Sequence, residues 1–165
     1  MQENLDTRGL IKKINIIGYA IIFVLIVIAD EIVKFTALKI LPDEGSLVDP
    51  AFFSLAIHKN FGIAFDIPFK MWVIVLISLV IGFFLIQIII RNWGNRPKVS
   101  LMAMIIIIGA AGNMYDRLVY GFTVDYIMFF SRLAINFSDV VILVGVAGLL
   151  ILTQRKQLKS GEDDI

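Results

Sequence analysis

Apolar residues run in four long stretches along the chain, and polar residues concentrate between and beyond them. Each stretch approaches the roughly 20 residues that a helix needs to cross the hydrocarbon of a bilayer. The pattern predicts transmembrane helices over about residues 14–34, 69–90, 99–119 and 136–153. In lipid, a continuous helix satisfies its own backbone groups, which favours helix over strand even in the isoleucine-rich runs. The predicted fold is an all-α membrane protein, with residues 1–165 as a single domain.

The amino-acid composition mainly excludes classes of protein and types of site. Of the 165 residues, 59% are apolar and 18% are charged, against about 45–50% and about 25% in soluble domains. The chain has no cysteine, which excludes disulfides, thiol nucleophiles and cysteine-based metal sites. A single histidine, His58, leaves little material for a multi-histidine metal site or a Ser-His-Asp triad. The net charge of +1 argues against nucleic acid as a partner.

The first apolar stretch has the outline of a secretory signal peptide, because Lys12 and Lys13 precede it. No small-x-small cleavage site follows, however, and the stretch ends at Asp30 and Glu31. We interpret it as an uncleaved membrane span.

Lysine and arginine are concentrated on one side of the predicted spans. Cytoplasmic loops carry the excess of these residues in membrane proteins. Both termini and the connection between the second and third spans are therefore predicted to be cytoplasmic, and the connections at about 35–68 and 120–135 to face outward. Nine of the fifteen cations support this: Arg8, Lys12, Lys13, Arg91, Arg96, Lys98, Arg155, Lys156 and Lys159.

The two outward connections are predicted to carry structure of their own. The apolar runs 52–57 and 62–65 in the first connection are typical of two short strands in a small sheet. The aromatic run 126–130 in the second connection is predicted to lie in the membrane interface as a short amphipathic helix.

Several acidic residues lie at the outer ends of the predicted spans. Asp30 and Glu31 end the first span, Asp116 lies near the end of the third, Asp125 follows it, and Asp139 begins the fourth. An ionisable group at membrane depth indicates function by default, because exposure to lipid costs several kcal/mol. For Asp30 or Glu31 alone, an acid that reaches the headgroups explains the position equally well. Their shared side predicts that these acids converge on one shallow, outward-facing pocket.

The third span carries small and then polar residues on one face. The segment from Gly109 to Gly112 allows another helix to approach closely. Asn113, Asp116 and Arg117 follow at i, i+3 and i+4 and continue that face. This face is either a helix-packing surface with a charged residue at its solvent-exposed end or one wall of the pocket.

Asp125 and Asp139 are the candidate catalytic pair. Two carboxylates that share one proton activate a water molecule and protonate a leaving amine in aspartic proteases. Asn136 lies on the helical face of Asp139, three residues earlier, whereas the acid-first i,i+4 pair of Asp30 and Lys34 is most simply structural. A peptide-bond hydrolase at the bilayer surface is the favoured hypothesis.

Two other functions stay open at this point. A proton-coupled transporter also uses intramembrane carboxylates, although it usually has inverted repeats or broken helices. A non-enzymatic membrane subunit would use the polar residues for helix association only.

Five short motifs occur in order between about residues 29 and 141. They are Asp30 with Lys34, N-x-G-x-A-F at 60–65, G-A-x-G-N-x-x-D-R at 109–117, a V-D-F-like segment at 124–126 and an F-N-x-A-D-like segment at 135–139. Together they resemble the motifs of the lipoprotein signal peptidase family (signal peptidase II), which are intramembrane aspartic peptidases with four transmembrane helices.

The resemblance implies a function and a set of site residues. The substrate would be a prolipoprotein whose lipobox cysteine carries diacylglycerol, cleaved on the amino side of that cysteine at the outer face of the bacterial cytoplasmic membrane. The fold would add a periplasmic β-cradle and a short periplasmic helix; no metal or cofactor is implied, and we expect a monomer. Asp125 and Asp139 would be catalytic. The substrate-binding or supporting residues would be Asn60, Gly62, Asn113, Asp116, Arg117, Asn136, Asp30 and Lys34.

Three positions depart from the family's motifs. Tyr126 and Ile135 replace phenylalanine, and Ser138 replaces alanine just before the second aspartate. Tyr126 and Ile135 keep an apolar body. Ser138 adds a hydroxyl, for which we expect a hydrogen bond to Asp139 that alters its proton affinity.

Overall fold

The computed structural model describes residues 2–46, 52–62, 67, 69–130 and 133–162, with side chains from 15 onward and up to 154. Four long helices make up most of it: α1 (Gln2–Ile40), α2 (Met71–Asn92), α3 (Pro97–Tyr120) and α4 (Phe137–Glu162). Each contains a segment long and apolar enough to cross a membrane. The predicted four-helix membrane architecture is confirmed. The cationic side chains predicted at the two termini lie outside the described part.

The first helix is longer than predicted. Its membrane-compatible segment runs over Asn15–Ile40, whereas the sequence pattern ended the span at about residue 34. Residues 35–40 contain no glycine or proline, and Pro42 is the first residue that stops helical propagation. The extra turns carry α1 beyond the polar residues and against the outer connections.

Helix α3 occupies the centre of the bundle and packs against the other three helices. A Cβ atom built on Gly109 would lie 2.8 Å from the backbone oxygen of Ser138 in α4. A Cβ atom on Gly112 would lie 2.8 Å from Cγ1 of Val27 in α1. The small residues of α3 therefore let two helices approach it at the level of the polar residues.

A three-stranded antiparallel sheet caps one end of the bundle, with strand order β1-β2-β3. The strands are β1 (Phe53–Asn60), β2 (Thr123–Phe129) and β3 (Leu133–Ile135). The first predicted strand is thus present as β1, whereas most of the predicted strand at 62–65 lies outside the described residues.

The prediction of a helix at 126–130 is wrong. Residues up to Phe129 belong to β2, which pairs with β1 on one side and β3 on the other. An aromatic and β-branched run of this length fits a strand as well as a helix, and two pairing partners decide for the strand. The short helix within the described connections is instead one 3₁₀ turn, Glu44–Ser46, in the first connection.

Candidate active site

Asp125 lies on the central strand β2, at the end of the bundle that the sheet covers, and is 1% exposed. Its Oδ1 atom accepts a hydrogen bond from Nδ2 of Asn136 at 2.6 Å. Its Oδ2 atom accepts one from Nδ2 of Asn60 at 3.2 Å. Asn60 is the last residue of β1, so strand pairing brings it beside the carboxylate.

Asp139 lies in the first turn of α4, where its backbone and side chain form a reciprocal cap with Asn136. The Asp139 N–H donates to Oδ1 of Asn136 at 2.9 Å, and the Asn136 N–H donates to Oδ2 of Asp139 at 3.3 Å. This pattern satisfies two backbone donors at a helix start and fixes the orientation of both side chains. Asp139 is therefore held by the local chain as well as by its neighbours.

Two asparagines connect the carboxylates of Asp125 and Asp139. Nδ2 of Asn113 donates to Oδ1 of Asp139 at 2.7 Å. Nδ2 of Asn136, which binds Asp125, also donates to Oδ1 of Asn113 at 3.1 Å. The spacing of Asn113 on α3 and Asn136 before α4 thus brings both amides between the two acids, in one network.

Burial and the negative charge of the Asp139 carboxylate raise the pKa of Asp125 to about 7. An exposed aspartate has a pKa of about 4. Near neutral pH, Asp125 therefore exists in both protonation states. A carboxyl of this kind is able to exchange a proton with water or with a bound group.

Lys34 is fully buried and lies at the centre of a second polar cluster next to this pair. Its Nζ atom is 3.2 Å from Oδ2 of Asp30, 3.0 Å from Oε1 of Glu31 and 2.8 Å from Oδ2 of Asp116. Nζ also donates to Oδ1 of Asn113 at 3.5 Å. One lysine thus joins acids from α1 and α3, and Asn113 links this cluster to Asp139.

Asp30 holds the first turn of α4. Its carboxylate accepts hydrogen bonds from the N–H of Phe137 at 3.2 Å and the N–H of Ser138 at 2.9 Å. It also accepts bonds from Oγ of Ser138 at 2.6 Å and from the hydroxyl of Tyr126 at 2.7 Å. The expectation that the Ser138 hydroxyl binds Asp139 is wrong, because the crossing of α1 and α4 brings the Asp30 carboxylate to it instead.

Asp116 and Arg117, which are adjacent in sequence, have different partners. Asp116 is buried and accepts a hydrogen bond from the N–H of Val124 at 3.1 Å, in addition to its contact with Lys34. Nη2 of Arg117 donates to the backbone oxygen of Gly62 at 3.1 Å. The Gly62 N–H in turn donates to Oδ1 of Asn60 at 2.9 Å. Arg117 therefore connects α3 to the segment that follows β1.

The sequence analysis named most of these residues as members of one site, but it did not predict the roles of three of them. Tyr126 and Ser138 were noted as departures from the motifs, not as partners of Asp30, and Glu31 was not assigned to Lys34. The i,i+3 spacing of Glu31 and Lys34 was a usable signal. The two hydroxyls gave no local signal, because Asp30 lies about a hundred residues away in the chain.

The chain resembles known proteins along most of its length. Residues 22–155 match the family model described as Signal peptidase (SPase) II. A lipoprotein signal peptidase of Sinorhizobium fredii is 33% identical over 151 residues, which are 84% of this chain and 87% of that protein. One of Syntrophomonas wolfei is 35% identical over 135 residues, 79% of this chain and 88% of that protein.

Solved structures resemble the fold as well. A bacterial membrane enzyme determined by the in meso method at 2.3 Å resolution superposes with a TM-score of 0.74 and 25% sequence identity. The match covers 86% of this chain and 90% of that chain. A second such structure, at 1.9 Å resolution, superposes with a TM-score of 0.70 over 83% of this chain and 93% of that chain.

Proposed function

Because this chain belongs to the signal peptidase II family, we propose that it removes signal peptides from lipid-modified prolipoproteins as an aspartic endopeptidase. Relatives with 30–35% identity are lipoprotein signal peptidases. The observation that carries the aspartic mechanism is the pair of the buried Asp125 and the partly buried Asp139, joined through Asn113 and Asn136. The substrate is a prolipoprotein with a diacylglyceryl cysteine, and the bond cleaved lies on the amino side of that cysteine.

The proposed reaction uses one protonated and one ionised carboxyl of the pair. The ionised carboxylate accepts a proton from a water molecule, and the water oxygen forms a bond to the scissile carbonyl carbon. The protonated carboxyl donates a hydrogen bond to the carbonyl oxygen, where negative charge develops. The carbon–nitrogen bond then breaks as the amine nitrogen takes a proton from the pair. The pKa of Asp125, about 7, supports a singly protonated pair near neutral pH.

The remaining site residues act by positioning. Asn60, Asn113 and Asn136 donate to the two carboxylates and keep their orientations, which is the usual role of polar neighbours around a catalytic pair. Asp30, Lys34 and Asp116 form the buried base beneath them. Arg117 fixes the Gly62 segment close to the pair, where Asn60 is in a position to contact the substrate backbone as well.

We propose a multi-pass protein of the bacterial cytoplasmic membrane with both termini inside and the site on the outer side. The excess of lysine and arginine at the opposite end of the spans supports this orientation. A diacylglyceryl group would hold the scissile bond at the outer leaflet, which matches the end of the bundle where the pair lies. We propose that the protein works as a monomer without a metal or cofactor.

The direct test is cleavage of a synthetic lipobox peptide by the purified chain in detergent. The peptide carries a diacylglyceryl cysteine in one arm and an unmodified cysteine in the other. We expect Asp125→Asn and Asp139→Asn each to lower the cleavage rate by about 10²–10⁴-fold, because each removes a proton-transferring group. Asp43→Asn is the matched control, since this exposed acid forms an ion pair with Lys59 and not a described contact with Asp125 or Asp139.

Two results would contradict the proposal. Near-normal turnover by either site variant would exclude the pair as catalytic, and equal cleavage of both peptides would exclude recognition of the lipid. A pH profile separates catalysis from simple folding effects: the wild-type rate should fall as the pH rises through about 7, because Asp125 then loses its proton.

Uptake of a solute by vesicles that contain the protein, without cleavage of the peptide, would favour the alternative function of a proton-coupled transporter.

A further inference from the structure

A cavity of about 780 Å³ opens between α1, α3 and α4, and the residues that line it lie at the end of the bundle away from Asp125 and Asp139. On α3 its lining includes Val99, which is 17 residues before Asp116. At 1.5 Å per residue, this is about 25 Å along the helix axis. The cavity is therefore separate from the candidate active site, and the proposed peptidase chemistry does not use it.

The walls of the cavity are mostly apolar, with side chains such as Ile16, Leu101 and Ile151. Its volume lies within the roughly 300–1,000 Å³ of small-molecule sites. The described residues that line it include no acidic side chain. These apolar walls suit an elongated apolar group from the bilayer, such as a lipid acyl chain.

Two cations, Arg96 and Lys98, belong to the same lining. Neither forms a salt bridge with any residue whose side chain is described, and the one described side-chain hydrogen bond of Arg96 is a long contact, 3.5 Å, with the Leu152 backbone oxygen. Arg96 is half-buried just before α3, and Lys98 is exposed in its first turn. Two neighbouring positive charges, of which Arg96 is partly desolvated, have no described carboxylate beside them and favour an anion at this end of the cavity.

We propose that this cavity binds one anionic phospholipid. An acyl chain lies along the apolar walls, and the phosphate group contacts Arg96 and Lys98. Basic pockets between transmembrane helices on the cytoplasmic side are recognised sites for anionic headgroups, and this end is cytoplasmic in the proposed orientation. The ring of Tyr19, which also lines the cavity, has the amphipathic character of residues at headgroup level.

A second copy of the chain is a poorer occupant. A two-fold dimer would pack the same patch of each subunit against the other. The cations of one copy would then face those of its partner, and like charges across an interface oppose association. A phospholipid supplies both the apolar chain and the negative charge that this surface lacks.

Native mass spectrometry of the purified full-length chain tests the proposal. The chain is loaded with dioleoyl phosphatidylglycerol or with dioleoyl phosphatidylcholine, which differ in headgroup charge but not in acyl chains. We expect one phosphatidylglycerol to be retained preferentially. Arg96→Gln and Lys98→Gln should each reduce this preference about fivefold. Arg91→Gln is the matched control, because Arg91 carries the same charge at the same end of the bundle but does not line the cavity.

A second variant tests the acyl-chain part of the site. Ile151→Trp adds bulk to the cavity wall at a residue that is about half exposed, and should reduce retention of both lipids. Equal retention of the two lipids by the wild type overturns the proposal, as does an equal loss of preference in Arg91→Gln. Lipid-free dimers that Ile151→Trp dissociates would show that a second copy fills the cavity and would also overturn it. Thermal unfolding of each variant confirms that the comparison is made on folded protein.

Discussion

At the scale of single residues, Asp30 accepts from more described donors than any other carboxylate of the site, although the proposed reaction gives it no proton to transfer. Five donor atoms surround its carboxylate, from Tyr126, Phe137, Ser138 and Lys34. Two of them are backbone N–H groups at the start of α4, so a side chain of α1 acts as part of the cap of α4. Asp139 follows in the same helical turn, and its position therefore depends on Asp30.

Removing the two hydroxyls should loosen this cap. We expect Ser138→Ala and Tyr126→Phe each to lower the free energy of unfolding by about 1–2 kcal/mol, because each deletes a buried hydrogen bond to a carboxylate. The cleavage rate should fall less than in the aspartate variants, since Asp125 and Asp139 remain. Thermal unfolding in detergent, measured together with cleavage of the lipobox peptide, checks both effects.

Ser54→Ala provides the control for a lost serine hydroxyl. The Oγ atom of Ser54 is buried and has no hydrogen-bond partner among the described residues, so its removal should leave stability nearly unchanged. If Ser138→Ala were as stable as Ser54→Ala, the Ser138 hydroxyl would contribute nothing to holding α4. The effects of Tyr126→Phe and Ser138→Ala should not add in the double variant, because both act on the same carboxylate.

The identities of the polar site residues were predictable from spacing and motif, but several of their contacts were not. Asp30 and Lys34 are one helical turn apart, so their pairing follows from sequence. Whether the Ser138 hydroxyl donates to Asp30 or to Asp139 depends on how α1 crosses α4, and no local sequence pattern encodes this crossing. The partner of Arg117 depends in the same way on the course of the chain around Gly62.

At the scale of elements, the crossing of α3 and α4 sets the distance between Asn113 and Asp139. Gly109 lies one turn before Asn113 and directly beneath the start of α4. A Cβ atom at Gly109 would approach the Ser138 oxygen to 2.8 Å and the Ile142 nitrogen to 3.0 Å. Both neighbours are backbone atoms, so only a movement of one helix relieves the contact.

Gly109→Ala should therefore separate α3 from α4. We expect a loss of about 1–3 kcal/mol in the free energy of unfolding, as for overpacked cores, and a clear fall in cleavage as the 2.7 Å bond between Asn113 and Asp139 lengthens. Gly82→Ala is the control, because a Cβ atom at this position in α2 meets nothing within 4 Å. Equal stability and activity of the two variants would show that α3 and α4 do not depend on close contact at Gly109.

The existence of the four helices followed from apolar length alone, because lipid demands continuous backbone hydrogen bonding. The small residues from Gly109 to Gly112 also predicted a close approach, without showing that α4 and α1 are the helices that meet them. The run 126–130 was misassigned because a short apolar segment contains no information about its pairing partners. Two of those partners, β1 and β3, come from separate parts of the chain.

At the scale of the whole molecule, the two ends of the bundle differ in chemistry. One end carries the sheet and the buried acids around Lys34. The other carries Arg96 and Lys98 beside the apolar cavity. The proposed peptidase needs the first end at the outer leaflet, where a lipid-anchored substrate lies. The proposed lipid site needs the second end at the cytoplasmic leaflet, where anionic headgroups provide a negative surface. A single orientation satisfies both requirements.

This orientation is testable with single cysteines, because the chain contains none of its own. Gly45 lies in the first outer connection and Gly94 in the α2–α3 connection, and a Cβ atom at either meets nothing within 4 Å. We expect a membrane-impermeant maleimide to label Gly45→Cys in intact spheroplasts, and to label Gly94→Cys only after the membrane is opened. Labelling of Gly94→Cys but not of Gly45→Cys in intact spheroplasts would show that the protein has the opposite orientation in the membrane. Asp125 and Asp139 would then face the cytoplasm, away from the outer-leaflet substrate on which the proposed chemistry depends.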